Sequence, residues 1–171
     1  MRLAKRLRER SKFVRQPNLF PIIFIGSSTE SLKVVKALHT KLSAPSFVIK
    51  PWKAFGIFRA SETTIESLIK QADASDFAVL VLGPDDLVIS RKKKHYGPRD
   101  NVLFELGLFM GALGRERTLI LSPRWLKIKW PSDLAGVTPL QYDSWRKHSF
   151  QQSISDACVE IRDTVTKLKP K

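Results

Sequence analysis

From Phe20 to the final helix, short apolar runs alternate with stretches of helical periodicity, a pattern that predicts an α/β fold. The expected architecture is flavodoxin-like: a five-stranded parallel sheet in the order 2-1-3-4-5 with helices on both faces. Connectivity agrees, because parallel strands need crossover connections and right-handed crossovers cover both sides of the sheet. Size agrees as well, since 171 residues with 43% apolar content suit one domain with a buried core.

The first strand is read at residues 22–26 (IIFIG), and the helix expected over 30–42 sets Leu32, Val35, Leu38 and Leu42 at core spacing. Residues 47–52 make a second strand. Ile65, Leu68, Ile69 and Ala72 recur at i, i+3, i+4 and i+7, which predicts a second helix, and residues 77–82 (FAVLVL) are the most strand-like run of all. About sixteen irregular residues are then expected before a helix over 100–113, and a loop that long in a compact domain is usually functional or disordered. Strands at 117–121 and 137–142 follow, and a last helix carries Phe150, Ile154, Ala157, Ile161, Val165 and Leu168 on one face. In such sheets the binding crevice opens where the strand order reverses, so the loops after Gly26 and Leu82 are expected to line a site.

Thirty Lys and Arg against 16 Asp and Glu give a formal charge of +14. Seven of the basic residues fall within residues 1–15, where Glu9 is the only acid, so residues 1–19 are expected to form a basic extension and residues 20–171 the domain. The tail suits an arm for nucleic acid or anionic lipid, an Arg-rich targeting peptide, or a solvated extension. A single cysteine, Cys158, excludes a disulfide framework, and His39, His95 and His148 show no metal-ligand spacing. No apolar run reaches the ~18 residues of a membrane span, so a cytoplasmic, metal-free protein is expected.

Three segments carry candidate chemistry. After the first strand comes Gly26-Ser27-Ser28-Thr29-Glu30, in which Ser27 and Glu30 have capping-box spacing and a helix N-terminus beside hydroxyls also suits phosphate. Neither G-x-x-x-x-G-K-[ST] nor G-x-G-x-x-G is present. The long loop holds Asp85 and Asp86, then the run Arg91-Lys92-Lys93-Lys94-His95, which is either a solvated face or a device for attracting an anion. In the helix over 100–113, with Asp100 as the expected N-cap, Glu105 is the only ionisable side chain between Asn101 and Leu113. A carboxylate in so apolar a helix is costly unless paired or used. Asn101 lies one turn earlier on its face. Gly107 and Gly111 suggest close packing on the sheet or on another subunit. Trp52, Phe55 and Phe58 flank the connection after the second strand, where an aromatic ring serves either the core or stacking on a base.

The segments IFIGSSTES, SETTIESL, DFAVLVLGPDD, PRDNVLFELGLFMGALGR and PSDLAGVTPLQYD, in this order over about residues 20–145, closely resemble the bacterial TIR-like domains that act as effectors in cyclic-nucleotide-triggered anti-phage defence. The resemblance implies a TIR fold and cleavage of NAD at the nicotinamide–ribosyl bond, to hydrolysed or cyclised ADP-ribose, with NAD as substrate and no cofactor. It makes Glu105 the catalytic glutamate. It also matches Gly26, Ser27 and Ser28 to the first-strand loop, and Arg99, Asp100 and Asn101 to the entry of the catalytic helix. With Trp52, Phe55 and Asp85 these are the expected substrate-binding residues. The resemblance further implies a homo-oligomer on activation and a cyclic-nucleotide-sensing domain or partner chain, for which residues 1–19 are too short.

Rival expectations are a non-catalytic TIR interaction module, a nucleic-acid-binding module using the basic tail and residues 91–94, and a nucleoside deoxyribosyltransferase with a Glu nucleophile. One carboxylate suffices for NAD cleavage, because nicotinamide is attached as a cation and leaves neutral, with no leaving-group oxygen to protonate.

Overall fold

The computed structural model describes residues 18–43, 46–52, 64–90, 92–143 and 149–171. The basic tail 1–15, Phe55, Phe58 and Arg91 lie outside the described residues. Strand β1 (Ile22–Ser27) leads to helix α1 (Leu32–Leu42), strand β2 (Val48–Pro51), helix α2 (Thr64–Ala74) and strand β3 (Phe77–Val81). A pair of strands, β4 (Asp86–Ser90) and β5 (Lys93–Gly97), precedes helix α3 (Asp100–Leu113). Strands β6 (Thr118–Pro123) and β7 (Leu140–Tyr142) and helices α4 (Phe150–Ser153) and α5 (Ser155–Leu168) complete the order.

Five strands form one sheet in the order β2-β1-β3-β6-β7, and every pairing within it is parallel. This is the expected order once β6 and β7 are counted as its fourth and fifth strands. The chain therefore reverses direction across the sheet between β1 and β3, whose register sets Ile25 beside Val79 and Ser27 beside Val81.

Alternation along the central strands builds two apolar layers. Ile23, Ile25, Phe77, Val79 and Val81 pack with α1 and α5 residues such as Leu38 and Ile161. Phe24, Ala78, Leu80 and Leu82 pack on the other face with Leu68 of α2 and Leu106 and Phe109 of α3. Because both layers are covered, these strands read as continuous apolar runs. The Phe24 and Phe109 rings stack with centroids 4.2 Å apart. Truncating a ring so placed costs about 3–5 kcal/mol. At the other end of β1, the buried Asp76 carboxylate accepts hydrogen bonds from Ile22 N at 2.9 Å and Lys171 N at 3.0 Å, tying the sheet's first strand to the last helical segment's tail.

Several expectations give way. The irregular stretch before α3 is an antiparallel hairpin, β4 with β5, pairing Asp86 with Gly97 and Ser90 with Lys93. Its turn passes through Lys92 at φ 63°, without the Gly or Asn that usually marks a hairpin. Ser27 is no helix cap: it ends β1, its hydroxyl donates to Ser28 O, and α1 begins only at Leu32. Asp100 is the first helical residue and Arg99 the N-cap, with Asp100 Oδ1 accepting from Asn101 N at 2.7 Å. Ile65 and Ile69 keep their helical spacing yet are exposed. A Cβ on Gly107 or Gly111 would meet nothing within 4 Å, so neither glycine serves packing on the sheet. The last helix is interrupted at Ile154, where α4 gives way to α5.

Candidate active site

A cavity of about 490 Å³ opens on the α2–α3 side of the sheet. Trp52, Thr64, Ile65 and Leu68 form one wall and Asp100, Asn101, Phe104 and Glu105 the other. Trp52 is placed by the end of β2: its N–H donates to Ile25 O at 2.9 Å, continuing the ladder, and its ring tilts against Phe24 with centroids 5.9 Å apart. Glu105 sits on the inward side of α3 and is 3% exposed. Asn101 stands one turn towards the mouth on the same helix, as i, i+4 spacing requires.

The strand beneath is shaped to receive the carboxylate. A Cβ built on Gly26 would lie 2.9 Å from Glu105 Oε2 and 2.5 Å from Leu80 Cδ1, closer than real Cβ contacts come. Glycine at this position is what admits Glu105 against the end of β1, and the requirement is for space rather than unusual backbone.

The other expected residues divide into those at the cavity and those at the sheet's rim. Trp52, Asp100, Asn101 and Glu105 meet at the cavity. Ser27 and Ser28 are buried at the end of β1, the Ser27 hydroxyl donating to Ser28 O at 2.9 Å and Ser28 Oγ accepting from Ser31 N at 3.3 Å. Asp85, in the turn after β3, faces Ser28 rather than the cavity; a Cβ on Gly83 would come 2.6 Å from Asp85 Oδ1 and 2.7 Å from Ser31 Oγ. Burial pushes the Asp85 carboxyl above its usual range, and a hydrogen bond from Ser28 opposes the shift in part. Burial, reinforced by the charge of Asp85, likewise raises the Tyr142 hydroxyl.

Arg99 does not line the cavity. Its Nη2 donates to Glu30 Oε1 at 2.6 Å and its Nε lies 3.6 Å from Asp86 Oδ1, so one guanidinium joins the β1–α1 loop, the hairpin base and the start of α3. Lys94 lines a different cavity, described below. Sequence reasoning missed Thr64, Ile65, Leu68 and Phe104 as cavity walls. Ile65 and Leu68 carried only a core signal, and nothing marked Thr64 or Phe104.

Cys158 offers no nucleophile here, being buried in the α1–α5 layer with its thiol pushed up to about 11 by burial. Among the described residues, no group of three or more His, Cys, Asp or Glu could hold a metal ion, and no helix is long and apolar enough to cross a membrane.

A parallel α/β sheet whose first strand end faces a buried helical carboxylate defines the class to which the comparisons then give a family. Residues 22–144 match the family described as CAP12/Pycsar effector protein, TIR domain, and the chain belongs to that family. It is 41% identical over 170 residues to the Pycsar effector protein PaPycTIR of Pseudomonas aeruginosa, covering 99% of this chain and 55% of that protein. It is 40% identical to XpPycTIR of Xanthomonas perforans, covering 95% and 54%, and 39% identical to CD-NTase-associated protein 12 of a Lachnospiraceae bacterium, covering 71% and 37%. The chain spans about half the length of the Pycsar relatives it matches. The PaPycTIR alignment also takes in the basic segment before residue 20, which the resemblance drawn from motifs did not reach.

Proposed function

We propose that this chain is a NAD glycohydrolase that cleaves the nicotinamide–ribosyl bond of NAD, working as an assembly-activated effector in anti-phage defence. One feature supports this above all: Glu105 lies 3% exposed on the wall of a cavity large enough for a ribosyl-nicotinamide unit, with space kept open beside it by Gly26. The bond from ribose C1′ to the pyridinium nitrogen breaks with its electron pair passing to nicotinamide, which leaves neutral. Positive charge develops on the ribose, and the Glu105 carboxylate stabilises it across a partly dry site where electrostatic interactions are stronger than in water. Water adds at C1′ and loses a proton, so NAD and water give ADP-ribose, nicotinamide and a proton.

The walls suit the remaining contacts. Trp52 and Phe104 offer apolar surface to the nicotinamide ring, while Asn101 and Thr64 offer hydrogen bonds to sugar hydroxyls. The Ser27 and Ser28 hydroxyls already hold internal hydrogen bonds and both residues are buried, so their side chains are spent on shaping the turn after β1. Exposed Ile65 and Phe104, each 52% accessible at the cavity rim, favour assembly with further copies of the chain as the switch. A cyclic-nucleotide-sensing domain or partner chain supplies the trigger.

The test is release of free nicotinamide from NAD by concentrated protein, read by chromatography, with Glu105→Gln beside it. Wild-type turnover and a loss of about a hundredfold or more in the folded variant are expected, the scale on which removing a charge-stabilising group acts. Equal turnover by the two proteins would take Glu105 out of the chemistry, and none by an assembled wild type would leave an interaction module instead.

A further inference from the structure

A second cavity, about 680 Å³, lies between the β4–β5 hairpin and the segment after β6, and it shares no lining residue with the Glu105 cavity. Its walls bring together Lys94, His95 and Tyr96 of β5 with Lys127, Lys129 and Trp130. The two walls are joined by backbone: Tyr96 and Ile128 form a parallel bridge, and Lys129 N–H donates to Tyr96 O at 2.8 Å. Ile128 is buried beneath, so Lys127 and Lys129 on either side of it are directed outward, and both are exposed. Trp130 rests partly on the α3 core layer. Tyr96 is 48% exposed, a large aromatic left at a surface with cations around it.

Among the described residues no carboxylate lines this cavity; Asp133, in the turn at 132–134, is not part of its wall. No ion pair among the described residues engages Lys94, Lys127 or Lys129, whereas Arg99 and Arg124 are each paired with an acid. Cations without acids select an anion, and aromatic faces beside them select a flat ring attached to it. An acidic peptide or a lipid headgroup would use the lysines and leave Tyr96 and Trp130 idle.

We propose that this cavity is a second, non-catalytic binding site for a nucleotide unit, with phosphate on Lys94, Lys127 and Lys129 and the base against Tyr96 and Trp130. The unit is supplied by single-stranded nucleic acid or by a free nucleotide. The proposal is independent of NAD cleavage, since it uses neither Glu105 nor any wall of its cavity.

The experiment titrates the full chain with a short fluorescein-labelled oligothymidylate and with thymidine monophosphate over a range of salt concentrations. Lys127→Gln/Lys129→Gln is compared with wild type, and Tyr96→Ala is made separately; all three side chains are exposed, so the fold is kept. The double variant should lower the salt slope for the oligonucleotide by about 1.4, the share of two phosphate contacts on a single strand. Tyr96→Ala should weaken binding by roughly five- to a hundredfold, the range for losing one stacked base. Where the variants weaken binding, an oligonucleotide held far tighter than the monophosphate assigns the site to nucleic acid, and equal binding assigns it to the free nucleotide; either supports the site. Unchanged affinity in both variants overturns it, and so does equal competition by polyglutamate or anionic vesicles, which carry charge without a base.

Discussion

Gly26 on β1 and Glu105 on α3 occupy adjoining space that leaves no room for a side chain at position 26, since a Cβ there would stand 2.9 Å from Glu105 Oε2. The strand end and the helix are thereby matched atom to atom. Gly26→Ala should push the carboxylate out of place and crowd Leu80, costing about 1–3 kcal/mol of stability as overpacking does. Nicotinamide release should fall much further than that loss of stability explains. Melting curves and the NAD assay on the same preparation check both, and an Ala variant with wild-type turnover would show that Glu105 has freedom to spare.

Asp85 gives a pH dependence of defined sign. Burial raises its folded carboxyl above the unfolded value, so the folded state holds the proton more tightly. That contribution is fully present below the unfolded pKa of about 3.9 and is lost as pH rises through the folded value. Asp85→Asn removes the loss, and its amide oxygen can still accept from Ser28. The variant should therefore gain on wild type as the medium goes from acid to neutral, measured by urea unfolding at several pH values; a gap that narrows over that range contradicts the assignment.

Asp76 ties Ile22 N and Lys171 N with one buried carboxylate. Asp76→Ala takes the acceptor from Ile22 N, from Lys171 N and from the Asn18 amide; Lys171 is exposed and can turn to water, so the cost falls on the strand start, about 1–3 kcal/mol for a donor left shielded and unsatisfied. Amide exchange at Ile22 should accelerate along with the drop in denaturation midpoint. Protection unchanged at Ile22 would mean that the strand start is held elsewhere.

Arg99 is held by Glu30 and near Asp86, both pairs nearly half exposed. Exposed pairs of this kind contribute roughly 0–1 kcal/mol, so Arg99→Ala should barely move global stability. The hairpin base and the α3 start lose their common tether, and faster amide exchange confined to residues 86–97 is the expected signature. A large global destabilisation, or no change in the hairpin, would assign Arg99 a different role.

The order of the sheet was legible because short apolar runs alternate with helical stretches: Phe77 to Leu82 is an unbroken apolar run of strand length, as a strand buried on both faces requires, and the crossovers follow. Glu105 was legible for the opposite reason, as a single charge interrupting an apolar helix. What sequence hid was whatever depended on distance along the chain. Arg99 and Glu30 are 69 positions apart, and nothing in either segment announces the other. The hairpin was hidden by composition, since Lys93 to Tyr96 is polar on both faces and Leu87 to Ile89 does not alternate. Its strands stand out from the sheet and are selected by their mutual pairing and by the bridge from Tyr96 to Ile128. Serine after a strand reads as a cap by local rules, but here the hydroxyls of Ser27 and Ser28 were needed inside the turn.

Phe104 and Glu105 are consecutive on α3, yet the first is turned to water and the second to the protein interior. A single peptide unit thus links the outer skin of the molecule to the acid inside the cavity. Any body that leans on the phenyl ring therefore bears on a wall of the chamber in which the acid stands.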